Sequence, residues 1–219
     1  MEKLEIMKAR HSVRTYLDKE IEAEKLEALQ KAIAEINAES GLNIQLFANE
    51  PEAFKANASH YGAFEGCRNY FAMVGEKNDD EKIGYYGEKL VLLAQELGLN
   101  TCWVALTYKK GKVTVSAEKG EKLHVVIALG YGKTQGHAHT NKDISTLCNL
   151  SEDSPEWFRN GMEAVLLAPT AINQQKFYFE QKGDTVSAKA KLAFYSKMDL
   201  GIAKYHFELG AGRDNFRWE

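Results

Sequence analysis

Arg10, His11, Ser12, Val13 and Arg14 set two guanidiniums and a hydroxyl at alternate positions near the start of the chain. Side chains two residues apart share a face when the backbone is extended, so Arg10, Ser12 and Arg14 can present their donors together. An arginine fork matches the paired oxygens of a phosphate, and a serine hydroxyl adds a neutral donor beside it. The pattern therefore reads as a phosphate clamp. The same residues also fit a plain basic turn after a helix, and spacing alone leaves both readings open. Cys67, Cys102 and Cys148 are scattered and odd in number, which suits reduced thiols better than a disulfide framework or a zinc site. His137 and His139 lie close together, yet no neighbouring carboxylate or cysteine completes a ligand set, so no metal site is expected.

The chain that must position this clamp has 219 residues, enough for one domain with a sizeable core. Its 44% apolar and 27% charged content is that of a globular protein. A formal net charge of -3 argues against a general nucleic-acid binder. No apolar run approaches the length of a membrane span, and the charged start Met1-Glu2-Lys3-Leu4-Glu5 has no signal-peptide core. The expected setting is the cytoplasm, without nucleic-acid or membrane partners.

Leu4, Ile6 and Met7 predict a short helix leading into the basic motif. Leu26, Leu29, Ile33 and Ile36 form one apolar stripe on a helix that Gly41 can stop. Strands are expected over Asn43 to Ala48 and over Tyr70 to Val74, the latter bounded by Gly75, with a polar connection over Glu50 to Ser59. Asp79 to Gly98 predicts a core helix, followed by an extended run from Leu99 to Val104. Val113 and Val115 alternate with polar residues, Leu123 to Leu129 predicts a buried strand, and Lys133 to Asp143 a polar loop or hinge. Ser154-Pro155 is a helix start, with the serine as N-cap, and that helix should end before Pro169. Two strands joined across Gly183-Asp184 and a helix over Asp199 to Gly210 complete the chain.

Four stretches together resemble the FMN-dependent nitroreductase family: RHSVRTY from Arg10, GEKLVLLAQELGLNTCWV from Gly87, VVIALGYG from Val125 and APTAINQQ from Ala168. They are similar, in turn, to the family's phosphate motif, its central helix with the segment beside the flavin ring, its late strand, and its Ala-Pro-Ser-x-x-Asn segment. The resemblance implies an α+β, nitroreductase-like fold with a mixed or antiparallel central sheet flanked by helices. The order departs from the family, where the Ala-Pro-Ser segment follows the basic motif closely; here it comes late. A single nitroreductase-like domain over 1–219 built from two fused pseudo-halves, about 1–142 and 143–219, would account for that order. Lys176 and Phe177 stand where the family has Pro-Trp, and Ala105-Leu106 where it often has Glu-Gly.

What the resemblance implies about function is an NADH- or NADPH-driven oxidoreductase that reduces small nitroaromatic or quinone-type acceptors through FMN. The flavin carries that chemistry, so no catalytic side chain is expected. Arg10, Ser12 and Arg14 would hold the phosphate with His11 near the ribityl chain, and Trp103, Val104, Ala105 and Leu106 would lay backbone along the ring. Pro169, Thr170, Ala171 and Asn173 would border the flavin from the other half, with Lys142 as a second phosphate cation. The molecule would be a monomeric pseudo-dimer or a homodimer. Two other readings remain: a flavin-sequestering protein without turnover, and an α+β domain with no flavin in which Arg10 and Arg14 are surface ion-pair partners.

Overall fold

The structure is a computed structural model that describes residues 2–55 and 63–219. Along the chain run α1 (Lys3–Ala9), α2 (Ala23–Ser40), β1 (Gln45–Phe47), β2 (Asn69–Glu76), α3 (Asp80–Glu96), β3 (Asn100–Val104) and β4 (Glu121–Gly130). They are followed by α4 (Glu156–Val165), β5 (Phe177–Lys182), β6 (Thr185–Ala190), α5 (Ser196–Ala211) and β7 (Arg217–Trp218). The contacts divide the chain into two units. One comprises Ala9–Asp79 and Lys89–His137; the other comprises the segment ending at Lys8, Asp80–Glu88 and Ala138–Glu219.

In the first unit an antiparallel sheet runs β1-β2-β4-β3, so β2 and β4 are its inner strands. Both faces are covered: Asn69 to Gly75 and His124 to Gly130 are buried throughout, which is why these strands read in the sequence as continuous apolar runs. On one face the cross-strand rows Tyr70, Ala128 and Cys102, and Ala72, Val126 and Val104, join Val13, Tyr16, Phe54, Phe64 and Cys67 in a single core. The helix α2 buries Leu29, Ile33 and Ile36, its expected stripe. It stops where Gly41 adopts a left-handed φ of 70° and donates its N–H to Asn37. β2 does not end at Gly75 as its sequence suggests. That glycine is there for crowding, since a Cβ would lie 2.7 Å from Leu42, and the strand continues to Glu76. Val113 and Val115 fall outside every ladder despite their alternation. Of the connection expected over Glu50 to Ser59, Pro51–Ala53 is a short 3-10 turn, and its end, 56–59, lies outside the described residues.

In the second unit α4 packs on α5, and β5, β6 and β7 make their own sheet. Phe177 and Phe179 alternate with outward residues and join Phe158, Phe207, Phe216, Trp157 and Trp218 in an aromatic core with centroid separations of 5.0–6.5 Å. The expected α+β architecture, with an antiparallel sheet flanked by helices, is present, and the hairpin across Gly183-Asp184 belongs to a second sheet in which β6 pairs in parallel with β7. The expected N-cap at Ser154 is also corrected. Its hydroxyl instead accepts from the Ser151 N–H at 2.9 Å, and Pro155 occupies the cap position of α4. Glycines let the helices of this unit touch through their backbones: a Cβ on Gly201 would meet the Glu81 carbonyl oxygen at 1.9 Å, and one on Gly84 the Met198 oxygen at 2.0 Å. Among the described residues, no helix is long and apolar enough to cross a membrane.

Two stability measurements test this packing. Gly201→Ala must push α3 and α5 apart and should cost about 1–3 kcal/mol or more, whereas Gly111→Ala, with open space around it, should leave the urea midpoint unchanged. In the second half of α3 the inner face lies on Leu90, Val91 and Ala94, all fully buried, while Leu93 is half-buried. Leu90→Ala should therefore lose about 2–5 kcal/mol, and a smaller loss there than in Leu93→Ala would show that the face is misassigned.

Candidate functional site

The basic motif leaves α1 as an extended segment, and backbone hydrogen bonds fix its course. Ser12 bridges Thr101 of β3 in parallel, and the Val13 N–H donates to the Thr101 oxygen at 3.0 Å. The Tyr16 N–H donates to Glu65 and the Glu65 N–H donates back to Arg14, while Leu17 and Lys133 tie the segment to the turn after β4 through Tyr131 and Thr15. Val13 and Tyr16 point into the core, and the Tyr16 hydroxyl donates to the Val13 oxygen at 2.7 Å. Arg10 is buried as well, at 4% exposure, and Ser12 and Arg14 are exposed.

Two of these side chains lie beside one buried thiol. Burial pushes the Cys102 thiol above its ordinary range, while Arg14 and Ser12, which hydrogen-bond to it, and Arg10 nearby all pull the other way. Cys102 is thus a neutral thiol with Arg14 and Ser12 beside it. The Arg14 guanidinium sits 5.8 Å from the centroid of Phe64, which steadies it on an aromatic face. His11 is half-buried beside Gly136, whose φ is 73° and where a Cβ would lie 2.7 Å from the His11 Cβ. That close approach lets the loop after β4 lie on the motif. Asn100 holds the same loop, accepting from the Gly132 N–H at 2.9 Å and donating to Gln135 at 3.0 Å. Beyond Cys102, Trp103 is half-buried and Val104 buried, and the chain then bends through Ala105 to Leu106, which is 57% exposed. The donor set of two guanidiniums and a hydroxyl, beside bare backbone at the end of β3, fits a phosphate-bearing planar cofactor such as FMN.

The remaining expected residues belong to the other unit. Pro169 is buried after α4, and the chain then turns through three positive-φ residues that are not glycine: Ile172 at 46°, Asn173 at 55° and Gln175 at 41°. A β-branched residue in that region is strained and persists only where its surroundings over-determine it. Here they do. Asp199 accepts the Ala171 N–H at 2.9 Å and the Gln174 amide at 2.7 Å. Thr170 accepts the Gln175 N–H, and Asn173, read from the sequence as a flavin contact or a turn residue, donates to the Thr140 oxygen at 2.7 Å. Lys142, expected as a phosphate cation, has its ammonium on the Gln174 oxygen at 2.6 Å. His139 sets a ring nitrogen 2.8 Å from the Leu166 oxygen, and among the described residues no cluster could hold a metal ion.

Cys102, Gly136 and Asp199 are absent from the motif reading. Only Asp199 carries a local signal, a lone carboxylate in the apolar run Met198 to Ile202.

Residues 2–211 match the protein-family model described as "Putative TM nitroreductase". A solved "putative nitroreductase" of Thermotoga maritima is 23% identical, with a TM-score of 0.66 over 98% of this chain and 85% of that one. A nitroreductase family protein of Clostridium difficile is 17% identical, with a TM-score of 0.51 over 71% of this chain and all of the other. A "Putative NADH dehydrogenase/NAD(P)H nitroreductase" of Bacteroides thetaiotaomicron is 19% identical, with a TM-score of 0.52 over 66% of this chain and 95% of the other. At these identities the likeness is one of fold. No curated protein matches the sequence.

The Asp199 peg gives a pH test. Burial pushes its carboxyl from the ordinary 3.8 to about 6, against the downward pull of the Gln174 and Ala171 donors. Between those values the native state holds a proton that the unfolded chain has released, so this group's contribution to stability is largest at low pH and is lost as pH rises toward 6. Asp199→Asn should remove that slope. Urea unfolding at pH 4.5 and pH 7 checks it, through the difference between variant and wild type; an unchanged difference at the two pH values would place Asp199 in water.

Proposed function

The chain belongs to the family described as "Putative TM nitroreductase", and on that premise we propose that it is an FMN-dependent oxidoreductase that takes electrons from NADH or NADPH and delivers them to a small acceptor of the nitroaromatic or quinone type. The observation that carries this reading is the seating of the basic motif on β3 by the Ser12–Thr101 bridge, with Arg10 buried and Arg14 over the Phe64 ring. Bound FMN supplies the two-electron chemistry. The chain's own residues bind and orient. Arg10, already desolvated, and Arg14, stacked on Phe64, hold the phosphate charge, and Ser12 adds a hydroxyl donor. Backbone from Trp103 to Leu106 would lie beside the ring, with no side chain required to move a proton. A neutral Cys102 suits this role, because a thiolate there would compete with the phosphate for both arginines. The neighbours' printed names, nitroreductase and NAD(P)H nitroreductase, point the same way. The proposed setting is the cytoplasm.

The visible spectrum is the first test: purified protein given FMN should be yellow, and NADH or NADPH should bleach it without oxygen. A yellow protein that neither nucleotide bleaches would be a flavin-sequestering one. Arg14→Ala should weaken FMN by roughly ten- to a hundredfold, the equivalent of about 1.5–3 kcal/mol for a lost charge-assisted bond, and leave riboflavin binding unchanged. Equal losses for the two flavins, or none, would remove Arg14 from the phosphate.

A further inference from the structure

The β5–β6 hairpin breaks a rule of strand pairing. Its register sets Tyr178 opposite Lys189, and the Lys191 N–H donates to the Lys176 oxygen at 2.8 Å, so Lys176 and Lys191 face each other across the open end. Phe177 and Phe179 point inward, which puts Lys176, Tyr178, Lys189 and Lys191 together on the outward face. Like charges directly opposite on antiparallel strands destabilise the pair. A fourth cation joins them, for Lys142 is anchored beside Lys176 by its ammonium on the Gln174 oxygen and its N–H on the Gln175 side chain at 2.8 Å. Partial burial and then Lys176 and Lys191 hold the Lys142 ammonium below its ordinary range.

The neighbouring carboxylates are engaged elsewhere. Glu180 pairs with Lys182 at 3.1 Å and Asp143 accepts from Ser145, and among the described residues none of the four lysines forms an ion pair. Two of them are held in place by backbone rather than by acids, since Lys191 donates to the Thr146 oxygen at 3.1 Å. The same ammonium lies 5.3 Å from the centroid of Tyr178, a half-buried ring set among the cations. A row of unneutralised, pre-positioned ammoniums around an aromatic face suits a ligand with a multiply charged anion and a flat ring.

We propose that this face binds the phosphate of a nucleotide, with Lys142, Lys176, Lys189 and Lys191 taking the charge and Tyr178 the base. That the nucleotide is the nicotinamide electron donor rests on the oxidoreductase reading; the site itself does not.

Isothermal titration with inorganic phosphate, 5′-AMP and 2′,5′-ADP decides it, using the full chain at one fixed ionic strength. Wild type should bind both nucleotides more tightly than inorganic phosphate. Lys176→Met/Lys191→Met should weaken all three about tenfold or more, and Tyr178→Ala should weaken only the nucleotides. If the double variant fails to fold, Lys191→Gln alone carries the comparison. Wild type that binds none of the three, variants that bind as wild type does, or an equal loss in the control Lys31→Met/Lys119→Met, which would signify net charge alone, each overturn the site. In a yellow, active protein the double variant should also raise the KM for NADPH or NADH with kcat and flavin content unchanged; tight AMP binding with an unchanged KM would place another nucleotide there and overturn the donor assignment. A colourless protein that still binds 2′,5′-ADP through these lysines would sink the flavin reading and leave this one standing.

Discussion

The first unit depends on the backbone hydrogen bonding of the segment from Ser12 to Leu17. Five main-chain bonds to Thr101, Glu65, Tyr131 and Lys133 hold it extended against the free edge of β3. Extension fixes the alternation: Val13 must enter the core, and Ser12 and Arg14 on either side of it stay exposed. Had the segment stayed helical after α1, Arg10 and Arg14 would share a face four residues apart, but Ser12 between them would point away.

The second unit is held by side chains where the first is held by backbone. Asp199, Gln174, Gln175, Asn173 and Thr170 satisfy one another and the turns around them, and so keep Ile172, 81% exposed, in a conformation its branched side chain disfavours. A buried carboxylate with only amide donors around it is costly to ionise, and its raised pKa is the record of that cost. Close glycine contacts between helices, at Gly84 and Gly201, add a second kind of precision that depends on the absence of a side chain.

Much of this was legible beforehand, for a physical reason in each case. The α2 stripe, the Gly41 stop, the core helix α3 and the runs of β2 and β4 follow from periodicity and from burial on both faces. The candidate clamp could be named from the sequence because its pattern is local: three residues within five positions. What escaped was whatever depends on distant segments. Cys102 looks like any buried thiol until Arg14 and Ser12 are placed over it, and Gly136 is one loop glycine among several until His11 lies against it. Gly75 and Ser154 misled for the same reason, since a glycine can answer crowding and a serine hydroxyl can serve a neighbouring turn. The two-residue strand β7 has too little sequence to show any period.

The ties on the extended segment have partners roughly 50 to 115 residues further along the chain, a high sequence separation for so short a stretch. Closing loops of that length is slow compared with forming a helix such as α2, so the arm bearing the two arginines is among the last parts of its unit to be fastened. During synthesis it emerges before all of its partners and is completed late. Until Tyr131 and Lys133 have left the ribosome, only the ties to Glu65 and Thr101 can hold the arm, and its far end at Thr15 and Leu17 stays unfastened.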